Sequence, residues 1–185
     1  MRPLAFVVLV LVGCSSATSS SPLPPLTPLT TLTTLTTGPS PPSSPHRSPG
    51  LPDPSITPGA SDDRVTQATI ASTICVTGYT KTVRPDASYT DALKARQMVA
   101  YHRVGSARGY EEDHLIALEI GGHPTDPRNL WPEPRAGPPG TTAADKDRVE
   151  NAAHAAVCSG RLGLADAQRA MATDWQSLGR DLGAT

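Results

Sequence analysis

Aromatic side chains make up only 4% of the 185 residues, with a single phenylalanine at Phe6. Charge is nearly missing from the first third: residues 1–60 carry only Arg2, Arg47 and Asp53, yet hold 13 of the 20 prolines. A Pro/Ser/Thr-rich stretch of this kind buries too little apolar surface to offset its ordering entropy. A packed core is therefore expected only in the rest of the chain, where one modest core readily accommodates a disulfide or a metal. Residues 61–185 have 14 basic and 16 acidic groups, a net of −2. The lack of a basic excess excludes a polybasic nucleic-acid binder. No apolar run reaches about 18 residues, which excludes a transmembrane helix. Cysteine is scarce, at Cys14, Cys75 and Cys158.

What is present begins with an export pattern. Arg2 precedes the apolar run Ala5 to Val12, which ends at Leu11-Val12-Gly13-Cys14. Residues 1–13 read as a secretory signal, too short to span a bilayer. The Leu-Val-Gly-Cys ending resembles the bacterial lipobox, and that likeness implies cleavage before Cys14 and lipidation of its thiol; the alternative is an ordinary signal cut nearby. The protein is thus expected outside the cytoplasm, lipid-anchored to the cell membrane or secreted. Residues 14–62 read as a disordered tether. Leu26, Leu29, Leu32 and Leu35 recur every three residues, but threonine and proline between them favour extended polyproline-like chain over a helix. Such a spacer reaches roughly tens of ångströms.

With Cys14 assigned to lipid, Cys75 and Cys158 are left to pair, as two cysteines of an exported domain ordinarily do. The bridge closes 83 residues and contributes about 4 kcal/mol through loss of unfolded-state entropy. A free thiol or metal ligand is the other reading. Within 63–185 the pattern predicts one or two short strands over Ile70–Val83 around Gly78. A helix is expected from a Ser88…Asp91 capping box to Tyr101, then a strand over Tyr110–Ile120 reversed at Gly121-Gly122. Pro124–Pro139 reads as loop, Thr142…Asp145 as a capping box opening a helix to Val157, and Leu164–Leu182 as a last helix. The class is α+β, helix-rich, with a small β-hairpin.

One stretch carries chemistry. Asp113-His114 lies on an expected strand, Gly121-Gly122 follows, then Asn129-Leu130, then the helix from 142. This ordered set resembles the ββα-metal core of the HNH-type (His-Me finger) nucleases over about 40 residues. The flanks 79–85, 157–160 and 167–175 also resemble a group of exported bacterial proteins. The HNH likeness implies a metal-dependent endonuclease that hydrolyses extracellular DNA or RNA, with His114 as general base, Asp113 as metal ligand and Asn129 bracing the loop. Arg128, beside Asn129, is placed to clamp a phosphate bidentately. A base and a divalent ion are what phosphodiester hydrolysis needs. Successive strand residues face opposite ways, so metal and water can stand on either side of one phosphate.

Members of that family place a His or Asn on the following helix, and this chain has neither at the helix start. Asp147, Glu150 and Asn151 stand further along on one face and are the remaining ligand candidates. With Asp113 they form an oxygen set suited to Mg²⁺ or Mn²⁺, with Ca²⁺ or Zn²⁺ as further options. Lys146, Asp147, Arg148 and Glu150 equally fit an ordinary solvated helix surface. His154 and His123 read as packed or loop histidines, and Trp131 and Trp175 as core or rim aromatics. The alternative function is a non-catalytic lipoprotein module on the same scaffold, favoured by the missing helix ligand and the net charge. Clustering of Arg103, Arg108, Arg128 and Arg135 near His114 is the feature expected of the nuclease.

Overall fold

A computed structural model describes residues 49–184. The expected signal at 1–13, the lipid attachment at Cys14 and the tether as far as residue 48 lie outside the described residues. The fold is α+β. Short helix α1 (Tyr79–Val83) and α2 (Ala87–Ala100) precede strands β1 (Tyr110–His114) and β2 (Leu130–Pro134), and α3 (Ala143–Cys158) and α4 (Leu164–Leu182) close the chain. The strands pair antiparallel, Asp113 opposite Trp131 and His114 opposite Leu130.

The two long helices follow from spacing and capping. Thr142 Oγ1 accepts from Asp145 N, and Asp145 Oδ2 accepts from the backbone N–H groups of Gly140, Thr141 and Thr142 at 2.9–3.0 Å. This capping box fixes where α3 starts. Ala143, Lys146, Val149, Ala153 and Val157 are then buried along one face, so a lysine stands inside an otherwise apolar stripe. On α4 the buried residues Leu164, Ala167, Met171, Trp175 and Leu178 form the facing stripe. Asp174 leaves the helical region and caps the second half of α4, accepting from Ser177 N at 3.0 Å and Ser177 Oγ at 2.6 Å. Trp131 and Trp175 are both fully buried in this core, along with Leu115, Ile120 and Val149. The Cys75–Cys158 disulfide pins the 70–83 segment to the end of α3, with Cα atoms 5.6 Å apart. No helix among the described residues is long and apolar enough to cross a membrane.

Four expectations change. Ile70–Val83 is not strand: a 3-10 turn at Ile70–Ser72 leads through turns into α1, which Gly78 opens with φ +86°. Thr69 Oγ1 donates towards Arg64 O at 3.0 Å and Thr73 Oγ1 to Thr69 O at 2.7 Å, and such threonine-to-backbone bonds give the chain an alternative to a ladder. The strand over 110–120 stops at His114, because the Asn129 side chain takes over the hydrogen bonding of Ile116. The expected loop 124–139 contains β2 despite Pro132 and Pro134, since in a two-stranded sheet each strand is an edge and a proline nitrogen can face outward. Helix α2 begins at Ala87, without the Ser88…Asp91 box.

The domain also starts further upstream than the expected boundary at 62/63. Trp175 Nε1 donates to Gly50 O at 3.0 Å, Thr57 Oγ1 to Leu130 O at 3.2 Å, and Ser61 bridges Gly122. Each of these contacts uses backbone atoms, which composition does not register.

Candidate functional site

The site grows from the end of β1, where Asp113 and His114 project to opposite faces. His114 is 4% exposed. Its Nε2 lies 2.9 Å from Pro124 O, and a carbonyl only accepts, so Nε2 carries the proton and Nδ1 keeps its lone pair. Burial lowers the imidazole pKa, against the Pro124 hydrogen bond and the Asp113 charge, so the neutral ring is the favoured form.

Asn129 sets the loop that holds this histidine. Fully buried, it accepts from Ile116 N at 2.9 Å and Ala60 N at 3.4 Å, and donates to Ile116 O at 3.0 Å and His123 O at 3.1 Å. Its side chain thereby ties the residue before Pro124 to the exit of β1. A Cβ at Gly122 would collide with Ile116 O and stand 2.9 Å from Asn129 Nδ2, so the close approach requires glycine there.

His114 borders a cleft of about 590 Å³ whose lining includes Lys81 and Arg84 from α1 and its end, Lys94 from α2, and Arg135 just after β2. Asp86, Asp91, Glu111 and Glu112 are interleaved with these cations; Arg135 Nη1 donates to Glu111 at 2.7 Å and Lys94 lies 3.8 Å from Asp91. Of the four arginines expected to cluster, only Arg135 is there. Arg103 stacks on the rings of Tyr101, Tyr110 and Trp131 at 5.4–5.5 Å. Arg128 is held by Asp126, at 2.6 Å from Nη2 to Oδ2, and does not line the cleft. A phosphate-clamping role for Arg128 is therefore not supported: a local carboxylate two residues away already takes its fork.

On the other face of β1, Lys146 Nζ donates to Asp113 Oδ2 at 2.7 Å, to His114 O at 2.7 Å and to Glu150 Oε1, with Glu133 Oε2 4.0 Å away. Three ammonium protons meet three oxygens. The side chains of Lys146 and Glu133 are wholly buried, while those of Asp113 and Glu150 keep 16% and 15% exposure. Burial alone raises the Asp113 carboxyl, but the Lys146 charge and its hydrogen bond outweigh it and hold Asp113 at about 2. Burial pushes the Glu150 carboxyl upward while the adjoining Lys146 ammonium opposes it, and burial pushes Glu133 well above the carboxylate range.

The expected ligand set Asp113, Asp147 and Glu150 is thus only partly assembled. Asp147 is exposed, and its carboxyl is raised by partial burial and by the Asp113 charge. Asn151 donates to Asp147 O, within its own helix, at 2.7 Å. Asp113 and Glu150 do converge, but on an ammonium. These residues do not fit a preformed divalent-ion site, because Lys146 Nζ occupies the space between the two carboxylates.

Among the described residues, the one set of three His, Cys or acidic side chains with ligand atoms within 4.8 Å of one another is Cys75, His154 and Cys158. Both sulfurs there are joined in the disulfide, and His154 Nε2 donates to Ile74 O at 2.9 Å. Sequence reasoning missed Lys146, Lys81, Arg84 and Lys94. The first had a signal: it sits three residues from both Ala143 and Val149 in the buried stripe. Comparison with protein-family models, with curated proteins and with solved structures returns no match.

Proposed function

We propose that the domain is an HNH-like endonuclease that hydrolyses phosphodiester bonds of extracellular DNA or RNA, with β1, β2 and α3 as its ββα scaffold and His114 as general base. The observation that carries this reading is the His114 imidazole, held through Nε2–H by Pro124 O with Nδ1 left basic at a cleft containing Lys81, Arg84, Lys94 and Arg135. In the step we infer, Nδ1 takes a proton from water, the water oxygen bonds to phosphorus, and the bond to the leaving oxygen breaks as that oxygen takes up a proton from solvent in the cleft. Arg84 and Arg135 supply cationic contacts to the phosphate. Asn129 acts as a positioning residue by tying down the loop that carries Pro124. The step uses no divalent ion, because Lys146 Nζ stands between Asp113 and Glu150. Export and lipid attachment at Cys14, which would hold the domain at the cell surface on a Pro/Ser/Thr-rich spacer, belong to the same proposal, and the Cys75–Cys158 bridge is compatible with them.

The test is nicking of supercoiled plasmid and cleavage of an RNA substrate by the full chain, with and without Mg²⁺ or Mn²⁺, beside His114→Ala. Nicking that depends on His114 supports the reading; plasmid and an RNA substrate both left intact under all these conditions defeat it. The 4% exposure of His114 favours a second reading, a non-catalytic binding module on the same scaffold. On that reading DNA is retained equally by wild type and His114→Ala and never cut.

A further inference from the structure

Two carboxylates and a backbone carbonyl converge on one point behind β1: Asp113 Oδ2, Glu150 Oε1 and His114 O. A point ringed by hard, partly anionic oxygens is a cation position, and such a set ordinarily takes a divalent ion. Here a covalently attached cation fills it. Lys146 enters from α3 within a stripe of buried apolar residues and ends with its three N–H donors matched by three acceptors. Its side chain has no exposed surface, so it touches no substrate. Its part is to hold Asp113, Glu150 and the His114 carbonyl in place. A third acidic group, Glu133, stands 4.0 Å from the ammonium with both oxygens buried and without a hydrogen-bond partner, so the pocket holds more acidic groups than one ammonium needs.

We propose that Lys146 is the resident cation of this site: it takes the position a divalent ion would have between Asp113 and Glu150, leaving the wild-type chain without a divalent-ion site there, and its removal converts the carboxylates into one. The consequence for catalysis, hydrolysis that survives chelation, rests on the endonuclease reading; the binding half does not. The physical ground is compensation. Two buried carboxylates without their ammonium must take up protons or another cation.

The experiment titrates the full chain with Mn²⁺ alone, following free Mn²⁺ by electron paramagnetic resonance. Wild type is expected to show no one-to-one site in the micromolar range. Lys146→Met, which keeps the length of the side chain and loses its charge, is expected to gain a site for one Mn²⁺, at least about tenfold tighter than any wild-type binding, with a melting temperature that rises with Mn²⁺. Adding Asp113→Asn is expected to remove that site. If Lys146→Met folds only when Mn²⁺ is present, the proposal is equally supported. It is overturned by a wild-type Mn²⁺ site that Asp113→Asn abolishes, or by a folded Lys146→Met chain that gains no Mn²⁺ site. Should Lys146→Met fold in neither condition, the wild-type titration decides alone. Plasmid nicking separates the two readings. Wild-type nicking in excess chelator supports both, and nicking that chelator stops and Mn²⁺ restores overturns the resident cation. Plasmid and RNA substrate both intact throughout sink the endonuclease and leave Mn²⁺ binding to judge Lys146.

Discussion

Asp113 and His114 are neighbours in sequence, yet the two faces of β1 on which they lie treat a buried titratable group in opposite ways. Behind the strand, Asp113 is ionised and answered by Lys146, which also satisfies Glu150 and the His114 carbonyl. In front, His114 is neutral, with one nitrogen held by Pro124 O and the other left over. A group whose charge is matched inside the protein contributes to structure and is spent. A group kept neutral with an unused lone pair remains available for chemistry. The contrast predicts that residues behind β1 dominate stability and that those in front dominate activity.

The largest stability effect is expected at Lys146. Lys146→Met leaves Asp113 and Glu150 facing each other with no counter-charge, which costs about 3–5 kcal/mol in metal-free buffer by denaturant unfolding. Asp113→Asn is expected to cost less, because the ammonium keeps Glu150 and the His114 carbonyl. A loss below about 1 kcal/mol for Lys146→Met would break the comparison from its structural side. Next comes Asn129→Ala, which leaves the Ile116 and His123 backbone groups unsatisfied in a buried loop and costs about 2–3 kcal/mol. It is also expected to lower nicking, since the Pro124 carbonyl then loses its brace; unchanged activity in a folded Asn129→Ala chain would separate the loop from the base.

Much of the structural side was legible in the sequence. Thr142…Asp145 and the spacing of Leu164, Ala167, Met171 and Trp175 are local signals, and the helices they predict are those found. The pairing of Cys75 with Cys158 followed from their number and from the export pattern expected at the N-terminus. Elements that depend on remote partners were misread. The β-branched residues of 70–83 find no neighbouring strand and turn instead, with Thr73 and Thr82 donating back to Thr69 O and Tyr79 O. Strand β2 exists because β1 lies beside it, although its two prolines argue against any strand. At the site, Asn129 lies beside the exit of β1 and bonds to Ile116 and His123, while Asp113 and His114 face opposite sides of the strand. Of the four arginines whose clustering was the expected mark of the nuclease, Arg135 lines the cleft, and Lys81 and Arg84 come instead from α1 and its end, a helix that the β-branched pattern of 70–83 conceals.

A smaller effect, readable through pH, is expected from Glu112, which shares the His114 face of β1 two residues earlier. Burial, with the Asp113 charge adding to it and Lys94 opposing, pushes its carboxyl from 4.5 up to about 8, and both its oxygens are buried without a partner. The folded chain therefore holds a proton that the unfolded chain releases. The stability this contributes is complete below about pH 4.5 and declines as pH rises to about 8. Glu112→Gln is expected to melt close to wild type at pH 5 and above it at pH 8 to 9. Parallel melting curves for the two chains across that range would show that Glu112 is not held neutral.

The smallest stability change and the sharpest loss of activity should coincide at His114. Glutamine can present an amide N–H toward Pro124 O in place of Nε2, so His114→Gln keeps the one hydrogen bond the imidazole makes and is expected within about 1 kcal/mol of wild type. It has no basic nitrogen, and loss of a general base lowers the nicking rate by roughly 10²–10⁴-fold. Because burial holds the His114 pKa below its ordinary 6.5, the acid limb of kcat/KM for wild type is expected below pH 6.5, with a plateau above it, and is absent from the residual activity of the variant. Should His114→Gln prove as unstable as Lys146→Met, the front of β1 is structural as well. Should it fold and still nick with the wild-type pH limb, the base lies elsewhere in the cleft and the division of labour across β1 fails.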